Sequence, residues 1–309
     1  MEGFKSLLKR KAGKFFSKII PEQKGIEARL KWIDAGKKRL NHIDSDGNSI
    51  THRAVIEGRE DVLKQFIGKG LRLDGKNYAG LSPLDLSLYL NRSYTHYFNH
   101  KPLDSIQIYR NKDQAIHSIS IAELEKKLKF TFLHHLEFAS YRDFLAMSKK
   151  GAKSLKDTQT RQMNHWMCSL HQNSMLVKPN FSHFYIRYIS RYIGYGIFAA
   201  KKIPALTFIG EYTGVITPKF GRKKELNDYI FDYSAARKNS RFIIDASKKG
   251  NFTRFINHST RPNLLARWIM IKGICHIIFF TKDPVDKDEQ LTYNYGEIFW
   301  RRRFEPEEL

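Results

Sequence analysis

The sequence predicts an α+β protein of two domains, a helical N-terminal half followed by a mostly β C-terminal half. Three observations carry that expectation. The 309 residues are 41% hydrophobic and 13% aromatic, enough to bury a sizeable core and more than one domain usually needs. A glycine-centred segment recurs in the first third of the chain. After Asn180 the texture changes to short runs of alternating apolar residues.

The first element, residues 1–25, is basic and amphipathic. Phe4, Leu7, Leu8, Phe15 and Ile19 share one helical face, and Lys5, Lys9, Arg10, Lys14 and Lys18 lie mostly elsewhere. A helix on a membrane surface, a transit peptide and a first helix docking on the next element are all open readings. No run reaches the roughly 18 apolar residues of a membrane span. The densest, Ile274 to Phe280, contains His276.

Next, Asp46-Gly47-Asn48-Ser49-Ile50-Thr51-His52-Arg53-Ala54 answers Ala79-Gly80-Leu81-Ser82-Pro83-Leu84-Asp85-Leu86-Ser87. The interval from Gly47 to Gly80 is that of the ankyrin repeat family, which this segment resembles and whose unit has a period of about 33 residues. Glu60 to Ile67 reads as the second helix of a unit, with Gly68 and Gly70 as its stop. A degenerate unit is expected around Gly36. The ankyrin-like region is placed at 26–115, where it serves either as a binding surface or as a packing and spacer module. Residues 116–180 are expected to be a helical connector, because Leu124, Leu128, Phe132 and Leu136 recur at helical spacing. His134 and His135 beside that stripe lack a third convergent ligand.

Beyond residue 181, strands are expected at Phe184 to Ile189, Gly196 to Lys201, Phe208 to Gly214, Phe242 to Ile244, Arg267 to Ile271 and Ile274 to Phe280. Lys272-Gly273 is the turn between the last two. Four segments of this region carry chemistry-bearing residues: Gly194-Tyr195-Gly196, Gly210-Glu211-Tyr212-Thr213-Gly214, Arg254-Phe255-Ile256-Asn257-His258-Ser259, and Leu291-Thr292-Tyr293-Asn294-Tyr295-Gly296. In this order and spacing they closely resemble the SET-domain protein lysine methyltransferases. The resemblance places that domain at 181–303, before a tail at 304–309, and implies a pseudoknotted fold.

It also implies an S-adenosylmethionine site and no metal. Gly194, Tyr195 and Gly196 would let backbone approach the cofactor. Asn257 and His258 would hold its amino or carboxylate end and its adenine. Arg254, Tyr229, Tyr295 and Trp300 would complete its pocket, with Phe299 and Trp300 as a lid. Tyr295 matches the catalytic tyrosine, and Tyr293, Tyr229 and Tyr212 are expected around the lysine channel. The hydroxyl of Tyr293 implies mono- or dimethylation. The alternative is a catalytically inactive protein-binding module. Cys168 and Cys275 are too few for the cysteine-rich zinc segments that flank many relatives.

The formal net charge of +23 is spread over both halves of the chain. It fits loose attraction to a polyanion and equally a solvated basic surface. A protein substrate such as a histone is expected, with an anionic assembly such as chromatin or a ribosome as a docking partner. Glu211, Asp228 and Asp232 are candidates for local negative charge near the substrate. The expected setting is intracellular, at the nucleus or chromatin. An ankyrin-like region beside a zinc-free SET domain would also fit a bacterial effector acting in a host cell.

Overall fold

Serine caps start two of the N-terminal helices, and a glycine stops the first. Helix α1 (Ile50–Glu57) starts at Ser49, whose side chain accepts from the His52 N–H while the His52 ring accepts from the Ser49 N–H. It ends at Gly58, whose φ of 72° is accessible to glycine without a Cβ clash. Helix α2 (Glu60–Gly68) carries Glu60 and Asp61 in its first turn, where the helix dipole favours them. Helix α3 (Pro83–Tyr89) repeats the α1 device after the second glycine turn, with Ser82 and Asp85 closing the capping box and Pro83 opening the first turn.

The computed structural model describes residues 26, 43–68, 73–90, 92, 94, 97, 105–154, 157–158, 160–162, 164–165, 181–219, 227–233 and 241–300. The basic segment at 1–25, the unit around Gly36, Gly70, Cys168 and the tail at 304–309 lie outside them. The chain divides into two units, Met1–His100 and Lys101–Leu309. In the first, the two glycine turns are joined directly. Asn77 Nδ2 donates to Asn48 Oδ1 across 2.9 Å, the Tyr78 N–H donates to the Asp46 carbonyl, and His52 Nε2 donates to the Leu81 carbonyl across 2.9 Å. Ile50, Val55, Val62, Leu63, Phe66 and Leu86 form the apolar core of this unit.

The second unit is built from β1 (Ser105–Arg110), β2 (Ala115–Ser120), α4 (Ile121–Leu128), β3 (Thr131–Phe132), β4 (Glu137–Phe138), α5 (Tyr141–Ser154), β5 (Phe184–Ser190), β6 (Gly194–Ala199), β7 (Phe208–Glu211), β8 (Val215–Pro218), β9 (Ile230–Asp232), β10 (Phe242–Asp245), β11 (Lys249–Gly250), β12 (Asn257–His258), β13 (Leu264–Ile271), β14 (Ile274–Thr281), β15 (Gln290–Tyr293) and α6 (Glu297–Trp300). The largest sheet runs β12-β15-β6-β5-β1-β2. A four-stranded sheet runs β4-β8-β10-β9, a three-stranded one β13-β14-β7, and β11 pairs with β3. Every residue of β14 is buried, which suits its near-continuous apolar run at the centre of the three-stranded sheet. Lys272 and Gly273 both have positive φ (50° and 77°), the geometry of a two-residue hairpin turn whose twist matches its strands. Among the described residues, no helix is long and apolar enough to cross a membrane.

The connector at 116–180 requires correction. Its apolar recurrence predicts helix through Leu136, but α4 stops at Leu128 and Lys129 turns left-handed (φ 54°). Leu124, Phe132 and Leu136 are all buried, yet Phe132 lies in β3, which pairs in parallel with β11, and Leu136 directly precedes β4, which pairs in parallel with β8. Strand partners far ahead in the chain override the local period. Likewise, residues 105–120 form an antiparallel hairpin whose β1 joins β5 in parallel through Ile108 and Ile186, so the 115/116 boundary falls inside β2.

Candidate active site

Strand pairing brings three of the four motif segments together, and the fourth, Gly210–Gly214, reaches them through the Tyr212 ring. β12 lies parallel to β15 with Asn257 opposite Thr292 and His258 opposite Tyr293, and β15 lies antiparallel to β6 with Leu291 opposite Ile197. The Asn-His segment and the Gly-Tyr-Gly strand therefore flank the last strand on its two sides. Asn257 Nδ2 closes the group by donating to the Tyr195 carbonyl across 3.2 Å.

At the end of β15 the tyrosines meet. The Tyr293 and Tyr295 rings are 4.7 Å apart, and Tyr293 lies 4.8 Å from Phe279 and stacks on Phe231 at 6.3 Å. Tyr212 continues the wall 5.4 Å from Phe231, and its hydroxyl donates to the Tyr229 carbonyl across 2.8 Å. The Tyr295 hydroxyl donates to the Ile256 carbonyl across 2.9 Å. Burial raises the pKa of Tyr212, Tyr293 and Tyr295 well above the ordinary phenol value, so all three are neutral at physiological pH.

Arg254 holds Tyr229. Its Nε and Nη2 donate to the carbonyls of Ala246 (2.8 Å) and Ser247 (3.0 Å), and its guanidinium lies 3.9 Å from the Tyr229 ring centroid. The same cation faces Phe130 and Phe255. Its hydrogen bonds therefore go to backbone, and it meets the site through an aromatic face.

The two glycines of the first motif differ. Gly194 has a φ of 78° and open space where a Cβ would stand. Gly196 is closely packed: a Cβ would come within 2.7 Å of Ile189 Cδ1 and 3.1 Å of Gln290 Nε2. Steric need at Gly196 thus comes from the protein's own packing. On the other flank, His258 packs 5.3 Å from Tyr295 and 4.9 Å from Trp300, and Trp300 lies nearly parallel to Tyr295 at 6.1 Å. The indole Nε1 of Trp300 is buried and has no hydrogen-bond partner among the described residues. Among those residues, no group of three or more His, Cys, Asp or Glu could hold a metal ion.

Residues 194–296 match the SET domain family. This stretch is similar to SET domains. The histone-lysine N-methyltransferase SETD2 of Mus musculus is 37% identical over 107 residues, which make up 33% of this chain and 4% of that protein. The histone-lysine N-methyltransferase EHMT1 of Homo sapiens is 34% identical over 118 residues, 37% of this chain and 9% of that protein. Among solved structures, Arabidopsis thaliana SUVH6 in complex with SAM is 31% identical with a TM-score of 0.34, over 41% of this chain and 30% of that one. The chain thus spans less than a tenth of the length of either curated relative.

Within the matched stretch, two features escape the sequence motifs, and two acids expected near the substrate are already paired. Asn251 donates from Nδ2 to the Glu211 carbonyl (2.8 Å) and accepts from Thr253, which fixes the turn leading to Asn257. Phe279 supplies a wall of the tyrosine cluster from β14, where its run reads only as core. Glu211 is buried and bonded to His276 Nδ1 at 2.6 Å, so it adds no exposed negative charge, and Asp232 is paired with Lys219 at 2.5 Å. Two polar residues flanking β15 have clear roles. Asp288 takes a left-handed φ of 64° and accepts from the Tyr185 hydroxyl, and Asn294 accepts from the Gly296 N–H. Burial, with Asp288 adding to it, pushes the Tyr185 phenol to about 12.

Proposed function

We propose that this chain transfers a methyl group from S-adenosylmethionine to the side-chain amine of a protein lysine, with histones as the favoured substrate class. The observation that carries the reading is the pairing of Asn257-His258 with Thr292-Tyr293, which sets Tyr295 between an aromatic wall and His258. The relatives named above are histone-lysine N-methyltransferases, which supports both the reaction and a setting at chromatin.

The residues suit the cofactor. The open side of Gly194, the Asn257 amide and the Trp300 indole N–H, unpartnered among the described residues, offer room and donors for a polar, adenine-bearing group. When bound, S-adenosylmethionine supplies an electrophilic methyl on a sulfonium. The remaining work falls to the chain. Because the Tyr295 hydroxyl gives its proton to the Ile256 carbonyl, its oxygen lone pairs are left to accept from the incoming amine. Its raised pKa keeps it a phenol, so Tyr295 orients the nucleophile and does not remove its proton. A lysine ammonium, with an ordinary pKa of about 10.4, is disfavoured in the aromatic enclosure and sheds a proton to water before attack. With the cofactor held by Gly194, Asn257, His258 and Trp300, its sulfonium methyl would be within reach of the amine that Tyr295 orients, and that alignment would supply much of the acceleration.

The Tyr293 hydroxyl narrows the channel, which favours mono- or dimethylated product. The N-terminal unit, with its paired turns at Gly47 and Gly80, acts as an ankyrin-like surface that recruits the substrate protein. The test is transfer of isotopically labelled methyl to mixed histones and to a cell lysate, with products identified by mass spectrometry. Lysine methylation is expected from wild type and not from Tyr295→Phe. Absence of transfer to any protein, alongside tight peptide binding, would instead favour an inactive binding module.

A further inference from the structure

Beside the Gly194-Tyr195-Gly196 motif, the second unit holds a cavity of about 260 Å³ bounded by β1, α4, β5 and the start of β6. Ile108, Tyr188 and Tyr195 line it, and Arg110, Lys112 and Lys127 stand around it. The Tyr188 and Tyr195 rings meet edge to face at 5.3 Å. The cations are exposed. The ion pair of Arg110 with Glu123 is 3.6 Å long and exposed on both sides, and such pairs are weak. Apart from Tyr195, these residues precede the SET match at 194–296, so the cavity is mostly an addition to that domain.

The surface continues the same chemistry. On the β5–β6 turn, Tyr192 is 83% exposed and Arg191 lies 4.6 Å over its ring. Tyr188 is 40% exposed on the strand leading into that turn. Aromatic faces alternating with cations are the equipment with which proteins hold unpaired bases and their phosphates.

We propose that this cavity and the β5–β6 turn bind single-stranded nucleic acid, one base entering against Tyr188 and Tyr195 with flanking phosphates on Arg110, Lys112 and Lys127. A cavity of this size lies below the range of about 300–1,000 Å³ typical for whole small ligands, and suits one ring of a chain that continues outside. A duplex conceals its base faces, so only an unpaired strand can use the tyrosines. A phospholipid headgroup would satisfy the cations and leave the tyrosines unused. The overall charge of +23 adds long-range attraction for such a polyanion. This reading is independent of methyl transfer and is measured by binding alone.

The test is fluorescence anisotropy of the full chain with a labelled 15-nucleotide oligothymidine between 50 and 200 mM salt. Tyr188→Ala is expected to weaken binding about tenfold, and Tyr188→Phe, which keeps the ring, to leave it unchanged. Lys112→Ala with Lys127→Ala is expected to make the logarithmic salt slope shallower by about 1.4, at about 0.7 per lost phosphate contact. Lys201→Ala with Lys202→Ala, away from the cavity, should leave the slope as it is. All these positions are exposed, so an unchanged melting temperature checks the fold. The proposal would be overturned by no binding at 50 mM salt, equal binding by Tyr188→Ala, equal binding of a blunt duplex, or displacement of the strand by S-adenosylhomocysteine. The last would assign the cavity to the cofactor. Phosphatidylserine vesicles that bind with the same dependence on Tyr188, Lys112 and Lys127 would replace the nucleic acid with a membrane.

Discussion

The main-chain N–H of Tyr295 donates to Nδ1 of His258 across 3.1 Å, so the orientation of the key tyrosine depends on an unprotonated imidazole nitrogen. Burial lowers the His258 pKa below its ordinary 6.5. The unfolded or opened chain therefore takes up the proton first. The contribution of this contact is complete above pH 6.5 and is lost as pH falls from 6.5 through the lower folded value. Calorimetric affinity for S-adenosylhomocysteine is expected to be flat from pH 8 to 7 and to fall steadily between pH 6.5 and 5. His258→Gln should bind more weakly and lose that slope. Burial also lowers the pKa of His52 and His183, so thermal stability will drop over the same range, and ligand affinity is the cleaner readout. A wild-type affinity that holds constant to pH 5 would contradict the link.

Tyr293 packs through its ring against Phe279 and Phe231, contacts that phenylalanine can keep. Tyr293→Phe should therefore fold as wild type and alter only the room left for an already methylated amine. Time courses resolved by mass spectrometry are expected to show mono- and dimethyl lysine from wild type and a shift toward di- and trimethyl lysine from the variant. Trimethyl product from wild type, or an unchanged product distribution, would sink the assignment.

The four motif segments are legible in sequence because each packs its residues into a short run. The β13–β14 hairpin is legible because Lys272-Gly273 sits between two apolar strands. What escapes has the opposite character. The β1–β2 hairpin joins the main sheet by a parallel contact between Ile108 and Ile186, which are distant in sequence and carry no local signature of the pairing. Phe132 and Leu136 keep a helical period by coincidence of burial, since Phe132 pairs with β11 and Leu136 leads into β4, which pairs with β8. Arg254 is visible as a motif residue, but its stacking on Tyr229 depends on a turn that ends at Ala246 and Ser247. Glu211 looks like a surface acid until β14 brings His276 beside it.

Gly196 and Ile189 provide a test of why the first motif needs its second glycine. An alanine methyl at 196 would meet Ile189 Cδ1 at 2.7 Å. Gly196→Ala is expected to destabilise by about 1–3 kcal/mol through overpacking. Ile189→Val removes the offending methyl and alone should cost about 1 kcal/mol. Combined, the two should be less destabilising than their sum by at least about 0.5 kcal/mol, measured by urea unfolding. Gly194→Ala should lose about 1–2 kcal/mol from its positive φ, and Ile189→Val should not relieve it. Strict additivity at 196 would return the requirement to the approach of the cofactor.

Glu211 and His276 form a buried pair beneath the site, and the Glu211 carbonyl also accepts from Asn251 and Thr253. Those two residues belong to the turn that carries Arg254 toward Asn257 and His258. Removing the imidazole leaves a buried carboxyl without its partner and opens a cavity, so His276→Ala should destabilise by about 3 kcal/mol or more. Glu211→Gln keeps a side chain able to bond the ring and should be milder. Because the pair and the turn share Glu211, His276→Ala is also expected to weaken S-adenosylhomocysteine binding severalfold, although His276 lies in β14, outside the motif segments. Urea unfolding in a double-mutant cycle should give a coupling of at least about 1 kcal/mol between the two positions. A coupling near zero would mean that the 2.6 Å contact fills space in the core and does not brace the turn above it.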